Sequence, residues 1–179
     1  MKELKTEHLN NRLDIIKKND NGVEISCVVD NNPPVVIIPF LMDNDNKVIQ
    51  QVFLHEYIDM FDELITTVIN INQWNFDVNI DVVKTFISKY FSIPESKIEL
   101  DRIFYLGESQ INFSLFKSTT VAYGINLSGL LREDEIKKQI NGNPKDNLIR
   151  VSYYDVLKGH YLDNMIMSTT FQLMSYFMI

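Results

Sequence analysis

Residues 79–107 constrain the fold of this 179-residue chain more than any other stretch, because they read as a helix, a proline turn and a strand. Asn79 is placed to cap the helix and Pro94 to end it. The mostly apolar run from Ile98 to Leu106 then predicts a strand. The apolar residues of the helix recur at spacings of three and four and therefore share one face. They are Ile80, Val83, Phe86, Ile87, Tyr90 and Phe91.

The segments on either side of this stretch predict a mixed α and β domain. Residues 35–42 and 47–57 read as two strands joined by the turn sequence Asp-Asn-Asp-Asn, which indicates a hairpin. Residues 58–77 carry both a helical spacing and a β-branched run, so we expect an irregular segment with one short strand. Further strands are expected at residues 23–29, 112–127 (one strand or two) and 148–153, and helices at residues 154–159 and 163–178.

The first residues of the chain are expected to form an addition to the main domain. Residues 1–22 mix leucine and isoleucine with many charges, and they are predicted to be a short helical extension. They end at the turn sequence Asn-Asp-Asn-Gly. No repeat, linker or low-complexity tract follows, so residues 23–179 are expected to be a single domain, long enough to bury a substantial core.

The composition argues against several classes of protein. Hydrophobic residues make up 45% and charged residues 23% of the chain, as in ordinary globular proteins. The net charge of -7, without a cluster of Lys and Arg, argues against a nucleic acid as the main partner. The single Cys27 leaves no internal disulfide and no cysteine-based zinc site. No apolar run reaches membrane-spanning length and the start lacks a signal-peptide core, so neither a membrane span nor signal-peptide secretion is expected.

The order of these elements resembles the Nudix hydrolase family, especially its ADP-ribose pyrophosphatase branch. The resemblance implies an α/β (α+β) protein, a Nudix-like α/β/α sandwich around a mixed β-sheet. It covers roughly residues 23–178 and concerns pattern and order. Four stretches carry it: residues 33–57, 81–93, 100–109 and 147–177.

The signature of that family, G-x5-E-x7-R-E-U-x-E-E-x-G-U, is not reproduced in this chain. Laid on the predicted helix, its Arg falls on Lys84, the following Glu on Thr85, and the paired Glu positions on Ser88 and Lys89. In the family these carboxylates hold Mg²⁺ against a diphosphate, because magnesium prefers hard oxygen ligands. Hydroxyls and an ammonium group do not replace them. We therefore expect a degenerate, inactive box, with no catalytic residue, no metal and no cofactor.

Other acidic residues are weaker candidates for a site. Glu108 follows the predicted central strand, and Glu63 lies near Asp62 and Asp59 at helical spacing, so either could be a relocated catalytic acid. The sequence from His55 to Asp59 reads His-Glu-x-x-Asp, which lacks the second histidine of a zinc helix. A solvated loop or strand end is the simpler explanation for these residues.

The terminal helix is expected to contact a partner, because it is apolar on nearly every side. Its interface candidates are Phe171, Met174, Phe177 and Met178. The partners expected are other protein subunits, in a homo- or hetero-oligomeric assembly.

Together these features predict a non-catalytic Nudix-fold structural or interaction protein. The most specific version is a bacteriophage virion component, found in the virion or in the host cytoplasm, since the richness in Asn, Ile, Lys and Asp is typical of AT-rich coding. Two alternatives stay open. One is a divergent hydrolase of a nucleoside-diphosphate-linked substrate, and the other is a nucleotide-sensing module without catalysis.

Overall fold

The computed structural model describes residues 4–8, 13–20, 23–30, 34–58, 62–71, 79–113, 116–131, 147–159 and 163–177. Within these ranges the chain forms strands and helices in a mixed order. The strands are β1 (Leu4–His8), β2 (Leu13–Asp20), β3 (Val23–Asp30), β4 (Val35–Met42), β5 (Val48–Ile58), β6 (Glu63–Thr67), β7 (Ile69–Ile71), β8 (Ile103–Phe113), β9 (Phe116–Asn126) and β10 (Asn147–Ser152). The helices are α1 (Ile80–Phe91), α2 (Tyr153–Leu157) and α3 (Asn164–Phe177).

The strands form a mixed sheet, as the sequence predicts. Its order is β1-β2-β3-β9-β4-β5-β10, and β8 pairs with β9 on the outside of this path. The pairs of β9 with β3 and β4 are parallel, whereas the pairs of β4 with β5, β5 with β10 and β8 with β9 are antiparallel. The hairpin of β4 and β5 is confirmed, and residues 112–127 contribute to two strands.

The sheet carries a hydrophobic core on each face. Neighbouring residues of β4 alternate between the two, since Val35 and Ile37 pack into the cluster that contains α1, and Val36 and Ile38 into the one that contains α3. The two long helices therefore lie on opposite faces of the sheet. None of the helices in the described ranges has both the length and the apolar character needed to cross a membrane.

Helix α1 forms where the sequence predicts it and for the expected reasons. The Asn79 side-chain oxygen accepts hydrogen bonds from the backbone amides of Asp81 and Val82, each at 3.1 Å. Its buried residues share one face: Val83, Ile87 and Phe91. The apolar residues at spacings of three and four thus pack the helix against the sheet.

The strand after α1 starts later than the sequence indicates. Residues Glu95–Lys97 and Leu100–Arg102 form two short 3-10 turns, and β8 begins only at Ile103. The Arg102 guanidinium donates to the carbonyl oxygens of Ser128 at 2.9 Å and Asn126 at 3.4 Å. These contacts fix the chain before the strand. Ile98 lies before β8 and is buried, so it contributes to the core from outside the strand.

Residues 58–77 contain more strand than expected in their described part. Strand β6 pairs with the end of β5, and β7 pairs with the start of β4. Strands β4 and β5 pair with each other only near their shared turn, so β6 and β7 supply partners where the two separate. Residues 59–61 and 72–78 lie outside the described ranges.

The predicted N-terminal helix is wrong, because the described residues of this segment form strands. β2 pairs antiparallel with β3 along its whole length, and Asp20 pairs with Val23, which leaves Asn21 and Gly22 between the strands. Asn-Gly is the dipeptide that two-residue hairpins prefer, so the turn signal outweighs the scattered leucines. β1 pairs in turn with β2, and Lys17 lies 2.8 Å from Glu7 across that pair.

Candidate functional site

The four positions aligned with the Nudix signature lie on α1. Lys84, Thr85 and Ser88 are half-buried there, and Lys89 is exposed. The Ser88 hydroxyl donates to the carbonyl oxygen of Ile93 at 2.7 Å, and the Ile93 amide donates to the Ser88 carbonyl oxygen at 3.0 Å. Ser88 therefore helps to end the helix, a role that needs a hydroxyl donor.

The charges on α1 follow the helix dipole. Asp81, the only acidic residue of the helix, lies in the first turn, and Lys89 lies in the last. Both placements are favourable, because the N-terminus of a helix carries a partial positive charge and the C-terminus a partial negative one. Across the described ranges, His, Cys, Asp and Glu form no group of three or more that could hold a metal ion.

A β-bulge places Glu108 on the sheet face that α1 covers. Tyr105 pairs with Tyr123 and Gly107 with Ala122, so the pairing shifts by one residue. Beyond the shift Glu108 pairs with Val121, which packs against the core on the α1 side, as Tyr123 does. The expectation that Glu108 follows the end of the strand is therefore wrong, because β8 continues to Phe113.

The bulge also brings Glu108 to a tyrosine. The Tyr105 hydroxyl donates to Glu108 Oε1 at 3.3 Å, and the Tyr105 and Tyr123 rings meet edge to face at 5.5 Å. Partial burial, and then the charge of Glu108, raise the pKa of Tyr105. The sequence offers one signal for this arrangement: a glycine inside an apolar strand indicates a bulge. Gly107 has φ at 112°, a backbone conformation that glycine adopts more readily than other residues.

The remaining acidic candidates are dispersed. Glu63 is the exposed first residue of β6, and Asp62 before it has a left-handed backbone with φ at 52°. His55 lies in β5, with Nδ1 3.1 Å from the Thr66 hydroxyl, so it belongs to a strand and not to a zinc-binding helix. Asp59 lies outside the described residues.

The interface candidates of α3 differ in exposure. Phe171 is 54% exposed, and Tyr176, which is not among these candidates, is 50% exposed. Met174 is half-buried. Phe177 packs inward, with its ring centroid 5.3 Å from Phe40 and 5.2 Å from Phe104. Met178 lies outside the described residues.

Comparison with solved structures gives a fold-level likeness. The chain is similar to a protein described as "Crystal structure of ADP compounds hydrolase", with 14% sequence identity and a TM-score of 0.51. The match covers 97% of this chain and 91% of that one. The comparisons with family models and with curated proteins give no match. At this identity the likeness shows the fold alone, and it supports the Nudix-like mixed α/β fold expected from the sequence.

Proposed function

We propose that this chain is a non-catalytic protein of Nudix-like fold that serves as a structural or interaction module. One observation carries the proposal. Helix α1 keeps its cap and its buried face, but none of its four signature positions carries a carboxylate. The parts of the helix that fold the domain are thus present, and the parts that would bind magnesium are replaced.

The replacements have structural roles of their own. Ser88 donates to a carbonyl at the helix end, and Lys89 complements the helix dipole. An exposed ammonium group at this place would repel a divalent cation. A carboxylate at Ser88 would lose the donated hydrogen bond. These roles make Ser88 and Lys89 consistent with selection for the helix itself.

The surface of α3 supports a role in interaction. The helix has no charged residue, and it exposes the rings of Phe171 and Tyr176. Exposed aromatic side chains on an uncharged surface are typical of protein interfaces. Other protein subunits are therefore the partners that we propose, and a bacteriophage virion component stays the most specific form of the hypothesis.

Calorimetry with ADP-ribose and Mg²⁺, combined with a hydrolysis assay, tests the absence of catalysis. We expect neither binding heat nor product from the full chain, because none of the four signature positions on α1 carries a carboxylate that could bind the metal. Magnesium-dependent turnover would overturn the proposal. Binding without turnover would instead favour a nucleotide-sensing module.

Sedimentation over a range of concentrations tests the role in interaction. We expect association that Phe171→Ser weakens, because the substitution removes the large exposed ring. Ile49→Ser is the matched control, since Ile49 is also exposed but lies on β5. Association that both variants weaken equally would contradict an interface on α3.

A divergent hydrolase is the second candidate, and the bulge at Gly107 is the observation that favours it. The bulge turns Glu108 towards the α1 side and within 3.3 Å of the Tyr105 hydroxyl, where a carboxylate could act on a substrate. The similar solved protein is named for hydrolysis of ADP compounds. If the chain does turn over such a compound, Glu108→Gln should abolish the activity, whereas Glu95→Gln, at an exposed 3-10 turn, should not.

A further inference from the structure

The polar residues that are buried in the described part of the chain, tyrosine aside, meet at the contact between α3 and the sheet. Gln51 on β5 contacts Thr170, and Thr120 on β9 contacts Met165. Thr169 and Thr170 belong to α3 itself. All four polar side chains (Gln51, Thr120, Thr169 and Thr170) are 0% exposed.

The two helical threonines are satisfied inside α3. The Thr169 hydroxyl donates to the Met165 carbonyl oxygen at 2.6 Å, and the Thr170 hydroxyl lies 2.7 Å from the Ile166 carbonyl oxygen. Bonds of this kind to the preceding turn are local to a helix. They survive if α3 leaves the sheet, so they contribute nothing to its attachment.

The polar groups whose hydrogen bonds depend on the contact between α3 and the sheet are poorly satisfied within the described residues. Gln51 Oε1 lies 3.0 Å from the Thr170 hydroxyl, whose single proton it shares with the Ile166 carbonyl. Gln51 Nε2 is buried and has no hydrogen-bond partner among the described residues. The same holds for Oε1 of Gln172 on α3. Within the described ranges the Thr120 hydroxyl contacts only the Met165 sulfur, at 3.9 Å.

These unsatisfied groups lower the stability of the docked helix, because an amide removed from water without a partner costs free energy that is recovered on exposure. Contacts of Phe177 with Phe40 and Phe104 act in the other direction and keep the helix docked most of the time. We propose that α3 opens as a unit, leaving the sheet while β4, β5 and the α1 side stay folded.

Hydrogen exchange of the full chain tests this proposal. In the wild-type chain we expect the hydrogen-bonded amides of α3 to exchange at least roughly tenfold faster than those of α1, because they open without global unfolding. Gln51→Met keeps the size of the side chain and removes the unsatisfied amide. It should slow exchange in α3 roughly tenfold and leave α1 unchanged.

Gln50→Met is the matched control, since Gln50 is the adjacent residue of β5 and is half-buried. Its side chain lies on the opposite face of the strand. It should leave the exchange of α3 within about twofold of wild type. A thermal melt monitored by circular dichroism identifies any variant that fails to fold.

Thr170→Val gives a second, independent comparison. Alone it removes the side-chain hydrogen bond that Gln51 accepts from Thr170, so it should speed the exchange of α3. Combined with Gln51→Met it should have little effect, because the amide is no longer there. Equal exchange in α1 and α3, or faster exchange of α3 in Gln51→Met, would overturn the proposal. The second result would mean that ordered water satisfies the amide and stabilises the docked helix.

Discussion

Helices α1 and α3 pack on opposite faces of one sheet, yet they are seated in different ways. Below α1 the sheet offers apolar residues, and Val83, Ile87 and Phe91 fill the space between them. Below α3 the apolar contacts of Ile166 and Leu173 are interrupted by buried amide and hydroxyl groups. The apolar contact favours a helix that stays packed on the sheet. The contact with buried polar groups allows the helix to leave the sheet.

This difference bears on the proposed function. In the family that the chain resembles, the helix at the position of α1 carries the chemistry. Here α1 packs on a mostly apolar surface, whereas α3 exposes the aromatic rings of Phe171 and Tyr176. The part of the molecule that is best suited to change its contacts is therefore not the part that aligns with the catalytic signature.

The largest expected effect comes from removing one buried isoleucine on each face. Ile87→Ala on α1 should lower the free energy of unfolding by about 2–5 kcal/mol, because it leaves a cavity in a closely packed core. Ile166→Ala on α3 should lower it only up to the free energy with which α3 is docked, since in the proposed opening the rest of the fold stays folded without α3. Both side chains are 0% exposed, so burial does not distinguish them.

Urea denaturation followed by circular dichroism gives both free energies of unfolding. Ile49→Ala, at an exposed position of β5, is the control and should change little. Equal losses for Ile87→Ala and Ile166→Ala, with one coincident transition, would mean that the two helices belong to a single cooperative unit.

The caps of the two helices allow a second, smaller comparison. Asn79 caps α1, and the Asp163 carboxylate accepts a hydrogen bond from the Ile166 amide of α3 at 2.9 Å. Asn79→Ala should lower the free energy of global unfolding by about 1 kcal/mol. Asp163→Ala should act mainly on the exchange of α3 amides. Asn79→Asp retains a capping oxygen and should restore most of the loss; a loss as large as that of alanine would exclude capping as its cause.

Local signals in the sequence predict the α1 side of the molecule well. The cap at Asn79, the helical spacing that follows and the turn after Met42 all act within a few residues of one another. The same signals do not predict the strand pairs at the N-terminus, because leucines scattered among charged residues are compatible with a helix and with a strand. The Asn-Gly turn was the better signal.

The α3 side and the candidate site depend on contacts that local patterns do not contain. Thr170 meets Gln51 across 119 residues of sequence, so the burial of that glutamine has no local sign. The position of Glu108 depends on how β8 pairs with β9 around Gly107. The absence of a carboxylate at the four positions aligned with the signature can be read from the sequence, because it needs only the identities of four residues.

A smaller effect is expected from pH, and it concerns the α1 face. Burial raises the pKa of Tyr123 above the ordinary tyrosine value of about 10. Folding thus favours the neutral phenol, and this contribution to stability is present below pH 10 and is lost as the pH rises through the raised pKa. The free energy of unfolding should therefore fall in alkaline solution, and it should fall less in Tyr123→Phe. An identical alkaline slope in the two proteins would assign the loss to other groups.

The smallest effect is expected away from both helices, where Glu7 and Lys17 pair across β1 and β2. The hydrogen bond and the charge of Lys17 lower the pKa of Glu7, yet solvent reaches both side chains of the pair. Water and salt screen such pairs, so Glu7→Gln should change neither the unfolding midpoint nor the exchange of α3 beyond experimental error. Faster exchange of α3 in this variant would show that the N-terminal strands and α3 are coupled through the sheet. In that case the contact of α3 with Gln51 would not be enough to explain how fast the amides of α3 exchange.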